Sequence, residues 1–167
     1  MPLPTVYLDT SFISAMWYEG NDVSVLARRF HSRDWWDGER EYFRVVTSVA
    51  TELELASGRF PKQAECLRVA RRLNYLPVTK PVREFAHQCL GVGLVPAGKN
   101  VDAVQLGLCV VHSVDYLLSW NYAHLANPIV QQKLNELCNK AKLRTPWLVS
   151  PETIPQVRLG QTIRRGD

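Results

Sequence analysis

The sequence has little that would point to a disulfide scaffold, a zinc site or a membrane segment. Its four cysteines are 23, 20 and 29 residues apart, so none forms the CxxC pair of zinc ribbons and thioredoxin-like redox sites. The N-terminal residues contain no basic segment and no long apolar run, so we expect no signal peptide, no membrane span and a cytoplasmic protein. Three cysteines lie in apolar, helix-like segments and are predicted to be buried: Cys66, Cys89 and Cys109.

Composition bounds the class of protein. A chain of 167 residues with 46% hydrophobic and 22% charged residues is typical of one globular domain and excludes a disordered or collagen-like chain. The net charge of +4 permits an acidic partner such as nucleic acid without requiring one.

Strand-like and helix-like segments alternate along the chain. The β-rich runs cover residues 5–8, 42–47, 76–79, 116–120 and 147–150, and predicted helices cover 22–40, 48–57, 61–73, 81–91, 101–114 and 128–143. This alternation predicts an α/β fold with a parallel sheet and helices on both faces. Ligands bind such sheets beyond the carboxyl ends of the strands, so the polar residues that follow strands are the candidates for a site.

Carboxylates follow the first two predicted strands. Asp9 ends the first strand, Glu52 and Glu54 lie just beyond the second, and Asp102 begins an apolar helix. Asp9 and Asp102, taken singly, could also be helix caps. Converging carboxylates repel one another, and a hard divalent cation relieves that repulsion. Such a site can hydrolyse phosphodiesters with metal assistance. Asp115 precedes a strand and would lie at the opposite edge.

The motifs around these acids resemble those of PIN domains, and in particular the VapC-like toxin branch. The matching stretches are residues 6–13, 47–58, 102–103 and 114–127, with an ending at 145–152; together they span about residues 5–153. The segment from Asp115 to Asn127 is the most specific of them. The resemblance implies a PIN-like α/β/α sandwich with a central, mainly parallel sheet in residues 1–153, followed by a polar basic tail in 154–167.

The resemblance also implies a set of site residues. Asp9, Glu54 and Asp102 match the metal-binding acids, and Asn121 stands where many PIN domains have a fourth aspartate. Glu52 competes with Glu54, because the two lie about 200° apart on a helix and only one can face the site. The apolar stripe of that helix does not decide between them, and the family spacing favours Glu54.

Further residues are implied in supporting roles. Thr10 or Ser11 matches a hydroxyl that orients ligands or the attacking water, and Ser119 lies in the most specific segment. Asn121 can accept a hydrogen bond from water but adds no charge. His124 is either a general base or a structural histidine, and we favour the structural role.

Basic residues are concentrated in one segment. Residues 59–83 contain seven Lys or Arg and one acid, Glu65. Arg68, Arg71 and Arg72, on adjacent turns of the predicted helix 61–73, could contact RNA phosphates or form an ordinary solvated face.

Aromatic residues are frequent near the N-terminus: Trp17, Tyr18, Trp35 and Trp36. The adjacent pair Trp35–Trp36 cannot both face one core, so we expect one of them to be exposed or covered by a partner. We favour a protein partner for this region over base stacking.

The resemblance implies a Mg²⁺- or Mn²⁺-dependent endoribonuclease that is the toxin of a toxin–antitoxin pair. RNA would be the substrate, an antitoxin protein the partner, and a homodimer the assembly. Two alternatives remain open. One is a PIN-fold module that binds RNA or protein without cleavage, which the substitution at Asn121 keeps possible. The other is a PIN nuclease outside any toxin system.

Overall fold

Strands and helices alternate along residues 2–155, the part of the chain that this computed structural model describes. The strands are β1 Thr5–Leu8, β2 Arg44–Thr47, β3 Asn74–Tyr75, β4 Tyr116–Leu118 and β5 Trp147–Val149. The helices are α1 Thr10–Ala15, α2 Val23–Gly38, α3 Val49–Ala56, α4 Gln63–Ala70, α5 Lys80–Gly91, α6 Asn100–Val111 and α7 Pro128–Ala141. A short 3-10 turn at Arg40–Tyr42 precedes β2.

The five strands form one parallel sheet in the order β3-β2-β1-β4-β5. In the central strand, Val6 pairs with Val45 of β2 on one side and with Tyr116 of β4 on the other. The strand order reverses at β1, so a crevice is expected where the carboxyl ends of β1 and β4 diverge. The predicted α/β/α sandwich is therefore confirmed, with a sheet that is parallel throughout its described strands.

Each face of the sheet carries its own apolar core. Val6 and Leu8 face a cluster built with α1 to α4, whereas Tyr7 faces the cluster of α5, α6 and α7. This division follows from the two-residue period of a strand. The cysteines predicted to be buried are buried and free, and Cys138 joins them.

Helix α6 is held close to α5 by a glycine. A Cβ atom at Gly107 would lie 2.6 Å from the carbonyl oxygen of Val82, a distance that no ordinary side chain tolerates. The two helices can therefore pack backbone against backbone at this contact. Because α6 carries Asp102 in its first turn, this packing also fixes one wall of the candidate site.

Two predicted elements are displaced. The strand predicted at 76–79 is wrong, since β3 is Asn74–Tyr75; Leu76 still donates to the Thr47 carbonyl at 2.8 Å, but Pro77 has no N–H to extend the ladder. The helix predicted at 61–73 is shorter. It begins after Lys62, whose φ of +63° is not helical, and ends at Ala70.

The predicted boundary between domain and tail is also displaced. Ile154 is buried in the core on the α1–α4 side, so the packed part of the chain extends past residue 153. The rest of the predicted tail, residues 156–167, lies outside the described residues. Within residues 2–155, none of the helices is both long and apolar enough to cross a bilayer.

The expectation for the adjacent tryptophans needs correction. Trp35 is buried and packs edge-on against Phe12, with ring centroids 5.5 Å apart. Trp36 is half-buried, and the Arg40 guanidinium carbon lies 4.6 Å from its ring centroid. Trp36, which we expected to be exposed or covered by a partner, is thus covered in part by an arginine of the same chain.

Candidate metal and catalytic site

Asp9 lies at the carboxyl end of β1 and caps α1. Its Oδ1 accepts a hydrogen bond from the Phe12 N–H at 2.8 Å, and it is only 3% exposed. Burial raises the pKa of this carboxyl to about 6, although three hydrogen-bond donors act in the opposite direction. The charge of Glu54 adds to the rise.

Two serine hydroxyls hold Asp9 in place. Ser11 Oγ lies 2.8 Å from each carboxylate oxygen, and Ser119 Oγ donates to Oδ2 at 2.5 Å. The same two hydroxyls accept the Trp120 and Asn121 backbone N–H groups, each at 2.9 Å. The segment after β4 is thereby tied to the end of β1. Such secondary contacts fix the orientation of a ligand carboxylate.

The choice between the hydroxyls of residues 10 and 11 is settled by these contacts. Thr10 Oγ1 is buried without a hydrogen-bond partner among the described residues. Ser11 is the hydroxyl that bonds Asp9, whereas Thr10 contributes no such contact.

Glu52 and Glu54 point to different surroundings. Glu52 accepts hydrogen bonds from Arg71 Nε at 2.7 Å and from the Tyr75 hydroxyl at 2.8 Å. These donors lower the pKa of Glu52. Glu54 instead lines a cavity with Asp9 and Asp102, and its charge raises the pKa of both aspartates. The geometry therefore brings Glu54, and not Glu52, to the other acids.

Asp102 enters the cavity from the first turn of α6. It is 8% exposed, and burial is the main cause of its raised pKa, with the charge of Glu54 second. The charges of His124 and Lys99 and a hydrogen bond from Asn121 act in the opposite direction. Lys99 immediately precedes α6 and also lines the cavity.

Asn121 uses its amide within the protein. Its Oδ1 accepts the His124 backbone N–H at 3.1 Å, which closes the turn after β4. The amide nitrogen is the donor to Asp102, since a carboxylate can only accept. Asn121 thus supplies a neutral donor where a fourth carboxylate would add charge. His124 lines the neighbouring groove and not the acidic cavity.

The cavity has a volume of about 260 Å³. Besides the acids, Ser11, Lys99 and Asn121, its lining is formed by the loop and first turn leading into α6 (residues 98–101). None of the ion pairs between described residues involves Asp9, Glu54 or Asp102. The carboxylates therefore share one small space without a neutralising side-chain contact.

A buried polar network lies beneath the cavity. The Tyr7 hydroxyl lies 2.7 Å from Ser48 Oγ and 2.9 Å from Thr51 Oγ1, and Gln105 Nε2 donates to Thr51 at 3.2 Å. Ser48 caps α3 by accepting from the Ala50 N–H. The network connects β1, α3 and α6, the elements that carry the three acids, and buried networks of this kind rigidify their surroundings.

The predicted phosphate-binding arginines do not join the cavity. Arg68, Arg71 and Arg72 are all exposed, but Arg71 is engaged with Glu52. Since α4 ends at Ala70, Arg68 alone lies within it, and Arg71 caps its end. Arg72 follows outside the helix. The expected row of three arginines on one helix is therefore not present.

Two basic residues near the acids escaped sequence reasoning. Lys99 carried a usable signal, since it lies three positions before Asp102 at the predicted helix start. Arg28 carried none: it lies on α2, and only tertiary packing brings it over the Trp120 ring, 5.6 Å from the centroid.

Comparison of the chain with protein-family models, curated proteins and solved structures finds no match. The geometry of the site is accordingly the basis for a functional assignment.

Proposed function

We propose that this protein is a metal-dependent endoribonuclease that hydrolyses RNA phosphodiester bonds, the toxin of a toxin–antitoxin pair acting in the cytoplasm. The observation that carries the proposal is the meeting of Asp9, Glu54 and Asp102 in one cavity at the carboxyl edge of the sheet. These residues come from three separate elements, so sequence proximity does not explain their convergence. The resemblance of residues 5–153 to PIN domains supplies the reaction class.

The donor set suits a hard cation. Carboxylate oxygens are the ligands that Mg²⁺ and Mn²⁺ take in proteins. Burial is the main cause of the raised pKa values of Asp9 and Asp102, and the charge of Glu54 adds to both rises; a bound cation would favour the ionised carboxylates. Within residues 2–155, no three His, Cys, Asp or Glu side chains form a group that could enclose an ion. Asp9 and Asp102 are our proposed ligands, directly or through water, and Glu54 is a ligand or a water-positioning group. Mg²⁺ commonly uses one or two carboxylates, with waters and substrate phosphates completing its shell.

The remaining cavity residues have defined tasks in this proposal. When bound, the cation lowers the pKa of a coordinated water and offsets charge on the scissile phosphate. Ser11 and Ser119 keep the Asp9 carboxylate oriented. Lys99 supplies a positive charge for the incoming phosphate, which the acids alone would repel. His124 remains a structural residue through its backbone contact with Asn121.

The toxin assignment needs a protein partner, and α2 offers a surface for it. Leu26, Arg29, Phe30 and Arg33 line an open groove of about 850 Å³, in which Phe30 is 66% exposed. Exposed aromatic and arginine side chains are typical of interface anchors. We assign this groove to the antitoxin or to the second subunit of a homodimer.

The decisive experiment measures RNA cleavage with Mn²⁺, with Mg²⁺ and with EDTA. Wild-type protein should cleave only with metal, and Glu54→Gln should lower the rate at least about 100-fold, or about 3 kcal/mol of barrier. Glu52→Gln is the matched control on the same helix and should change the rate less than about threefold. Equal loss in both variants would remove Glu54 from the site.

The toxin role is tested separately by expression in cells. Wild-type protein should arrest growth, and Asp102→Asn should relieve the arrest at equal protein level. Unimpaired growth with folded wild-type protein and active RNA cleavage in vitro would favour a nuclease outside a toxin system.

A non-cleaving binding module is the second candidate. Asn121 favours this candidate, because an uncharged amide stands where many PIN domains have a fourth acid. RNA binding without cleavage under any metal, together with no Mn²⁺ in a metal-soaked crystal, would support it over the enzyme.

A further inference from the structure

A second cleft adjoins the acidic cavity and shares Ser11 and Asn121 with it. It has a volume of about 440 Å³, within the range of about 300–1,000 Å³ that small-molecule sites occupy. Tyr18, Arg28 and Trp120 are prominent in its lining, and its described lining residues include no carboxylate. A ligand fragment in this cleft would therefore lie directly beside the candidate metal site.

An arginine of the cleft lies within cation–π distance of two aromatic rings. The Arg28 guanidinium carbon lies 5.6 Å from the Trp120 ring centroid and 5.7 Å from that of Tyr122. Trp120 is 5% exposed and is anchored by donating Nε1–H to Ser32 Oγ at 2.7 Å. Arg28 itself forms no hydrogen bond or ion pair with the described residues. Its planar group is held by aromatic rings while its donors stay available.

An exposed aromatic ring supplies the other surface. Tyr18 is 56% exposed and lines the same cleft. An aromatic ring and a guanidinium plane both stack on nucleobases, whatever the base. Asn121 is the amide in the lining, and both its groups are already bonded within the protein. The cleft is thus equipped to stack a base, and the Arg28 N–H donors are free to contact the edge of that base.

We propose that this cleft binds one unpaired nucleobase of the RNA substrate, next to the scissile phosphate, by stacking on Arg28 and Tyr18. The choice of RNA as the polymer rests on the proposed ribonuclease function. A base inside the cleft has left its duplex stack, so the site selects an unpaired or extruded nucleotide. Because stacking decides the affinity, purines are preferred over pyrimidines.

The test measures binding in EDTA, so that it does not depend on cleavage. A fluorescently labelled single-stranded oligoadenylate is titrated with wild-type protein, Arg28→Ala, Arg28→Lys and Tyr18→Ala. Stacking is worth about 5- to 150-fold in affinity per base, so each variant should bind at least about fivefold more weakly. Arg28→Lys keeps the charge and loses the plane, so it should behave like Arg28→Ala.

Two controls match the variants. Arg44→Ala removes an exposed arginine at the amino end of β2, and Trp147→Ala removes an exposed aromatic at the amino end of β5. Both should bind within about twofold of wild type. Full affinity in Arg28→Lys, losses in the controls equal to those in the cleft variants, or equal competition by a duplex of the same sequence would overturn the proposal. Tight binding of a partner protein that Tyr18→Ala abolishes, with oligonucleotide binding unchanged, would assign the cleft to protein instead.

The two proposals fail separately. Metal-dependent cleavage that is unaltered by the cleft variants would leave the nuclease and remove the base site. Binding that depends on Arg28 and Tyr18 without cleavage under any metal would leave the base site and remove the nuclease.

Discussion

The carboxylates at the two ends of the parallel sheet differ in whether they have an ion-pair partner. At the amino end, Asp115 accepts the Thr5 N–H at 2.7 Å and is ion-paired with Arg144. At the carboxyl end, Asp9, Glu54 and Asp102 share a cavity, and none of them has an ion-pair partner among residues 2–155. Asp115 is thus paired with a cation, whereas the cavity acids are grouped together without an ion pair among the described residues.

Under the proposed function, this difference distinguishes an acid that serves the fold from acids that serve the site. An acid that serves the fold is given a partner, since a paired carboxylate lowers the free energy of the native state. Acids that are buried together without a cation cost stability, and such arrangements concentrate at functional sites. The two ends can be compared directly because Asp9 and Asp115 flank neighbouring, hydrogen-bonded strands.

The largest expected effect is on RNA cleavage, when an acid at the carboxyl end of the sheet is replaced and compared with one at the amino end. Asp9→Asn keeps the helix cap, because asparagine caps as well as aspartate. It removes the charge, so metal-dependent RNA cleavage should fall at least about 1,000-fold, equivalent to about 4 kcal/mol of barrier. Asp115→Asn should keep activity within about twofold while it lowers the free energy of unfolding by about 1 kcal/mol. Initial rates and urea unfolding measure both; full activity in folded Asp9→Asn would contradict the site.

The pH dependence of stability should carry the signature of Asp9. Folded Asp9 has a pKa of about 6 against an ordinary value of 3.8, so the folded state binds this proton more tightly than the unfolded state. The contribution of Asp9 to stability is therefore greatest below about pH 4 and is lost as the pH rises through about 6. The full effect is about 3 kcal/mol at 1.36 kcal/mol for each pH unit.

The measurement is urea unfolding in EDTA between pH 4 and 7. Asp9→Asn should not show this loss, so its free energy of unfolding should increase relative to that of wild type as the pH rises. Asp115→Asn should follow the wild-type trend. A constant difference between wild type and Asp9→Asn across this range would show that Asp9 does not titrate as the geometry implies.

Much of this architecture could be predicted from local sequence. Hydrophobic periodicity located most helices, because this signal acts within a few residues. The strand at 76–79 was misplaced because β propensity at Leu76 and Val78 outweighed the missing N–H of Pro77. Local preference does not show which residues the neighbouring strand pairs with.

The acids of the candidate site could be predicted from the sequence, but the residues around them could not. Spacing on α3 left Glu52 and Glu54 open, and the deciding contacts to Glu52 come from Arg71 and Tyr75, about twenty residues further along the chain. Likewise, Arg28 reaches Trp120 only after α2 packs on the sheet. Contacts that depend on the assembled core have no local signal.

A smaller effect should follow from adding a negative charge at the carboxyl end of the sheet. Asn121→Asp replaces the donor to Asp102 with a fourth carboxylate, so it should lower stability in EDTA by about 1–2 kcal/mol. It should also bind Mn²⁺ more tightly and therefore show a larger rise in Tm when Mn²⁺ is added. Asn135→Asp is the control, because the Asn135 side-chain oxygen accepts a hydrogen bond from Gln131 on α7 and an aspartate oxygen can accept the same bond. Equal thermal responses in the two variants would place Asn121 outside the cation site.

The smallest effect is expected at the amino end. The Arg144 side chain is 62% exposed, so water screens its pair with Asp115. Arg144→Ala should cost at most about 1 kcal/mol, and this cost should shrink in 1 M NaCl, where charges on exposed side chains interact over about 3 Å. Asp115 would still accept the Thr5 N–H. Urea unfolding at low and high salt measures the change. A salt-independent loss above about 2 kcal/mol would mean that Asp115 also requires a cation, namely the Arg144 guanidinium. The two ends of the sheet would then differ in the kind of cation, an arginine or a metal ion, and not in the need for one.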